Sequence, residues 1–183
     1  MRKGWIAGAM LVAACNGATP SEPVSTSPVS TTVRPLIAWP QTAADAHALS
    51  ALGDDAPSRI ARSPVPVLAP AAADALETPT VVVGPEYYAI SGHAHGATIT
   101  IQGTRAQHEV QGIAPIEGDH AIRRAKGFVT VNEGIRVASW SENGASYSVD
   151  VECGDPMNDA RCTSESFVLG LAERLAFVGG GGR

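Results

Sequence analysis

Phe128-Val-Thr-Val-Asn-Glu-Gly-Ile-Arg-Val-Ala-Ser-Trp140-Ser-Glu-Asn-Gly-Ala-Ser-Tyr147-Ser-Val-Asp-Val151 is the stretch whose reading decides the fold. Residues 128–132 read as a strand turned by Glu133-Gly134, residues 135–142 as a second strand, and Asn143-Gly144 is the pair that a type I′ hairpin turn prefers before a third strand at 145–151. A two-residue loop sets Glu142 opposite Ala145. Side chains alternate, so Trp140 then faces Tyr147, Ala138 faces Val149 and Arg136 faces Val151 on one largely apolar face. The opposite face carries Val137, Ser139 and Ser141 against Ser146, Ser148 and Asp150. The aromatic pair adds up to about 1 kcal/mol.

Outward from this hairpin, the pattern predicts a small antiparallel sheet. Val81-Val82-Val83 is a short strand, and residues 87–91 and 97–103 form a hairpin pattern around Gly92-His93-Ala94-His95-Gly96, with Ile99 and Ile101 alternating with Thr98, Thr100 and Gln102. Residues 106–127 read as irregular, broken by Gly112, Pro115, Gly118 and Gly127. On the C-terminal side, Thr163 or Ser164 caps a helix expected to run to about Phe177, with Phe167, Val168, Leu171, Ala172 and Leu175 on one stripe and Glu173 and Arg174 facing out. The expected fold is α+β: β-hairpins covered by that helix, occupying residues 80–178, with a loose glycine tail at 179–183.

Towards the N-terminus the composition changes. Residues 54–79 alternate prolines with small apolar residues and read as an extended lead-in, since Pro64, Pro66 and Pro70 exclude a central strand. Residues 16–53 are a Ser/Thr/Pro/Ala-rich tether with too few large apolar groups to offset ordering entropy, although a short helix is expected within 42–52. Residues 1–15 have the anatomy of a secretory signal: basic Arg2 and Lys3, an apolar run, then small residues before a cysteine.

At that cysteine, Val12-Ala13-Ala14-Cys15 resembles the lipobox of bacterial lipoproteins. The resemblance implies export, a lipid such as palmitate on Cys15, cleavage that leaves Cys15 as the new N-terminus, and anchoring to a membrane. Asn16 in place of Asp after the cysteine implies the outer membrane, with the periplasmic or surface face left open. Residues 127–149 and the final helix also resemble an uncharacterised domain of bacterial envelope lipoproteins and anti-sigma-factor extracytoplasmic regions. That likeness is a tryptophan-bearing strand, an Asn-Gly turn, a tyrosine-bearing strand and a closing helix; it implies a fold, not a chemistry.

With Cys15 lipidated, Cys153 and Cys162 remain as an even pair in an exported chain, and a disulfide between them would close a turn-rich ring worth roughly 2 to 3 kcal/mol. The competing readings are free buried thiols or half a metal site. A C-x8-C spacing is not zinc-like, and no further cysteine completes a shell.

Among the residues that carry chemistry, His93 and His95 point the same way if their segment is a strand, and such a pair binds Zn or Cu when a third ligand converges. The plainer reading is two exposed histidines in a glycine-bounded loop. Arg123, Arg124 and Lys126 are a candidate contact for an anionic group. There is no G-x-S-x-G elbow, HExxH helix or phosphate cradle, so no catalytic residue or cofactor is assigned and an enzyme is not expected. A net charge of -5 excludes the basic surplus that nucleic acid requires. The reading is a lipid-anchored envelope protein of binding or structural type that contacts an envelope protein or a wall component through residues 112–127 or 92–96. The alternative is a metal-binding protein using His93 and His95.

Overall fold

The computed structural model describes residues 29–181. Strand β1 (Ser30–Val33) is followed by two one-turn helices, α1 (Ala46–Ser50) and α2 (Ala56–Ile60), then by β2 (Val67–Ala69) and a 3-10 turn, Ala72–Asp74. Strands β3 (Glu77–Val83), β4 (Tyr87–Ala94), β5 (Ala97–Thr104) and β6 (Gln107–Val110) come next. After an exposed loop follow β7 (His120–Ile122), β8 (Ala125–Asn132), β9 (Ile135–Glu142) and β10 (Ala145–Glu152). The chain closes with α3 (Ala160–Thr163), α4 (Glu165–Glu173) and β11 (Ala176–Gly179).

Seven strands form one antiparallel sheet in the order β3-β4-β5-β10-β9-β8-β7, and two ribbons, β1-β6 and β2-β11, accompany it. The β9-β10 register is the one that the Asn-Gly turn dictates: Glu142 pairs with Ala145, Trp140 with Tyr147, Ala138 with Val149 and Arg136 with Val151. One face of the sheet buries Tyr88, Ile90, Ile99, Ile101, Val149 and Val151. The other is polar and carries Ser91 bonded to Thr100, Gln102 donating to Asp150, and Ser141 bonded to Ser146.

The covering layer is not one helix. α4 packs on β9 and β10, and beside it β2 lies across β5. Two tyrosines fasten β2 to the sheet. The Tyr88 hydroxyl donates to the Leu68 carbonyl at 3.1 Å and accepts from the Leu68 N–H at 3.0 Å, while the Tyr147 hydroxyl donates to the Pro66 carbonyl at 3.0 Å. Burial raises both phenol pKa values, so each ring enters the core neutral. Gly103 makes room for them, since a Cβ there would lie 2.5 Å from Tyr88 and 2.8 Å from Tyr147.

Several expectations need correction. The sheet is larger than a pair of hairpins and the architecture is mostly β, with short helices. The globular unit does not begin near Thr80: Ala48, Leu52, Ala56, Ile60, Val65, Val67, Leu68, Ala69 and Leu76 are all core residues, so both the end of residues 16–53 and the segment 54–79 contribute to the core. The irregular stretch 106–127 contains β6 and the β7-β8 hairpin, whose turn is Arg123-Arg124 with both residues at positive φ, 50° and 69°. The last helix stops at Glu173 instead of Phe177, because Phe177 pairs with Leu68 in the β2-β11 ribbon. Gly179 lies in that ribbon, and the Gly181 N–H donates to the Ser63 carbonyl at 2.8 Å, so the glycine tail starts docked.

Candidate functional site

The two histidines singled out above sit at the β4-β5 turn, but they do not act as a pair. His93 is on the exposed face of β4, paired opposite Thr98, with its Nδ1 3.3 Å from the Thr98 hydroxyl. His95 is not a strand residue. It opens the two-residue His95-Gly96 turn with φ 53°, which breaks the alternation that an i, i+2 pair relies on, and its ring reaches the covering layer. There its Nε2 lies 3.1 Å from Asp74 Oδ1, and its ring meets that of Phe167 edge to face at a centroid distance of 6.0 Å. Among the described residues, no group of three or more His, Cys, Asp or Glu side chains is arranged to hold a metal ion.

Asp74 is the centre of this cluster and is only 6% exposed. Arg174 donates to its carboxylate from Nε to Oδ2 at 2.7 Å and from a terminal nitrogen to Oδ1 at 3.1 Å. This fork holds the Asp74 carboxyl below its ordinary value of 3.8 against the opposing effect of burial, and His95 adds to the lowering. One carboxylate thereby joins three parts of the chain: the 3-10 turn, the β4-β5 turn and the end of α4. Beside it runs an open groove of about 390 Å³, lined by Arg161, Ser164, Ser166, Phe167, Gly170 and Arg174. Asp159 caps α3 by accepting from the Arg161 N–H at 2.9 Å and also engages the Arg161 guanidinium, which lowers its pKa to about 2. Both arginines at the groove are therefore committed to carboxylates.

The basic trio separates in the same way. Arg123 is an internal tie: its guanidinium donates to the Leu175 carbonyl at 2.7 Å, the Ala172 carbonyl at 3.4 Å and Glu142 at 3.1 Å, while its backbone N–H donates to Glu173 at 2.5 Å. It caps the C-terminal end of α4, so the Arg123 guanidinium is not free for an outside anion. Arg124 and Lys126 are exposed. Of the acids in or beside the central hairpin, Glu142 holds Arg123 and Asp150 accepts from Gln102 and Ser148.

Cys153 and Cys162 form a disulfide with a Cα–Cα separation of 6.3 Å, joining the end of β10 to α3. Cys15 lies outside the described residues. Of the two expected contact loops, 92–96 is strand and tight turn, and 112–127 divides: 120–127 belongs to the β7-β8 hairpin, whereas 112–117 is exposed throughout, with Ile113 59% and Ile116 79% exposed. Asp74, Phe167 and Arg161 were not legible as a site, because they lie far apart in the chain and carry no spacing signal; Arg174, expected to face outward, does so only in part. No family model, curated protein or solved structure matches this chain.

Proposed function

We propose that the chain is a lipid-anchored protein of a bacterial envelope that works by binding another envelope component and not by turnover. The observation that carries this reading is the cysteine distribution. Cys153 and Cys162 are bonded to each other, which leaves Cys15, at the end of the signal-like run, as the one thiol available for a lipid. A disulfide suits an oxidising compartment outside the cytoplasm, and residues 1–15 supply the route there. The loop 111–117 supports the binding part. It presents two isoleucines to solvent on a surface loop with no core role, and loops are where binding residues concentrate.

The test is crosslinking of the native, membrane-bound protein followed by mass spectrometry, with Cys15→Ala as the unanchored control. The expected result is one abundant partner, lost in Cys15→Ala and reduced when Ile113 and Ile116 are both replaced by Ser. Retention of Cys15→Ala on the membrane would defeat the anchoring half of the reading, and a partner indifferent to the loop would defeat the other half.

A further inference from the structure

The two edges of the seven-stranded sheet are built in opposite ways. At the β3 edge, pairing is blocked: Pro79 lies in the strand, Thr78 adopts φ 47°, the register with β4 slips between Glu77 and Thr80, and Arg59 donates to the outward Val81 carbonyl at 3.1 Å. These are the devices that keep a strand edge from recruiting another chain. At the other edge, β7 covers β8 only as far as Gly127, because His120 pairs with Gly127 and the strand ends there. Residues 128–132, Phe-Val-Thr-Val-Asn, have β9 on one side and no ladder partner on the other among the described residues.

The backbone orientation along this run follows from its turn. Asn132 and Ile135 close the two-residue Glu133-Gly134 loop, with φ 51° and 83°, so they exchange both hydrogen bonds, as do Thr130 with Val137 and Phe128 with Ser139. The N–H and C=O groups of Val129 and Val131 therefore point away from β9, and none of the backbone bonds outside the ladders reaches them. The run has no proline, no bulge and no charged residue, and Val131 is 54% exposed. It is an unbulged, largely β-branched edge without a proline or a charge to protect it.

We infer that this edge is a self-association surface, on which β8 of a second copy pairs antiparallel with β8 of the first. Residues 129–131, whose outer side carries the unpaired backbone groups, match the same residues of the second copy about a two-fold axis at Thr130. Val129 of each copy then pairs with Val131 of the other, and all the outward groups of both valines are satisfied in an isologous contact. No charge lies in the run itself, so no like charges face each other across its paired positions. The valine side chains face one another on the covered side of the sheet. Two seven-stranded sheets become one continuous sheet, and anchoring both copies to one membrane raises their effective concentration without being required for the pairing.

The test uses the full chain in its membrane, with every dimer yield taken above that of the unsubstituted chain. Thr130 pairs with itself across the axis in a non-hydrogen-bonded position, where Cα atoms lie about 4.5 Å apart and a disulfide fits. Oxidation of Thr130→Cys is expected to give a dimer on a non-reducing gel at a yield at least about tenfold above that of Val82→Cys on the blocked edge. Val131→Pro removes an outward N–H while leaving the β8-β9 ladder intact, so adding it to Thr130→Cys should cut the yield about tenfold. Val131→Lys should also cut the yield, because it sets a charged side chain against Val129 of the other copy, and it guards against a proline variant that fails to fold. Equal yields from the Thr130 and Val82 variants, an unchanged yield with both Val131 variants, or a crosslink from the thiol introduced on β8 to a different protein would each overturn the inference.

Discussion

Asp74 shows how a residue with no sequence signal becomes a tie point. It sits in an alanine-rich turn, yet its buried carboxylate accepts the Arg174 fork and the His95 ring, so removing its charge strands a guanidinium and an imidazole together. Asp74→Asn should lower unfolding free energy by about 1 to 3 kcal/mol at neutral pH, read from the urea midpoint, since Arg174 is half exposed and partly rehydrates. The sign of the pH dependence follows from the lowered pKa. A carboxyl whose folded value lies below 3.8 contributes stability that is complete above that pH and disappears as the pH falls through the folded value. Wild type and Asp74→Asn should therefore differ at pH 7 and converge in strong acid; a constant difference down to about pH 2 would contradict the ion-pair account. The His93/His95 pair was legible as two histidines but not as two environments, because the turn at His95-Gly96 puts the second ring on another side of the molecule.

At the scale of elements, the sequence was most informative where partners are near in the chain. The β9-β10 register follows from Asn143-Gly144 and the alternation on either side, and the pairing agrees residue for residue. What escaped was the turn's second duty. Gly144 has φ 78°, and a Cβ there would collide with the Leu36 carbonyl oxygen, while the Ala38 N–H donates to the Asn143 carbonyl at 2.9 Å. Gly144→Ala should cost about 1 to 2 kcal/mol for the left-handed backbone, and should also free the chain around Leu36, measurable as faster amide exchange at Ala38. The short helices show the same division of labour. Four residues of α3 and nine of α4 are too few to persist alone. Arg136, which the sequence places opposite Val151 on the largely apolar face, donates to the Cys162 and Thr163 carbonyls at 2.6 and 3.1 Å, and Arg123 does the like for α4. The disulfide adds a covalent hold on α3. Replacing Cys153 and Cys162 together by Ala should lower stability by roughly 2 to 3 kcal/mol, with α3 exchanging its amide protons before the sheet does.

At the scale of the whole molecule, the long-range part of the fold was hidden for a physical reason. A three-residue strand between Pro66 and Pro70 has no periodicity to read, and its partner, residues 176–179, lies over a hundred positions later and looks like the end of a helix followed by a glycine tail. Only the closed molecule gives either segment a reason to be extended: Val67, Leu68 and Ala69 are all at most 1% exposed, and two tyrosine hydroxyls bond to the Pro66-Leu68 backbone. The boundary that composition suggests, near Thr80, therefore divides the core. A fragment of residues 80–183 would keep six of the seven sheet strands whole and β3 in part, but would leave β11 without its partner, Tyr88 and Tyr147 without their carbonyl acceptors, and the sheet face under β2 open to water. Water replaces the two lost hydroxyl bonds, each with a net worth of about 1 kcal/mol, and the lost apolar burial adds more, against a total stability for a domain of this size of about 5 to 15 kcal/mol. The expected outcome is that residues 29–183 unfold cooperatively in urea while residues 80–183 give no cooperative transition and bind a hydrophobic dye. A cooperative transition in the shorter fragment would mean that residues 46–79 are an accessory layer and that the Tyr88 and Tyr147 bonds to β2 contribute little to holding the fold.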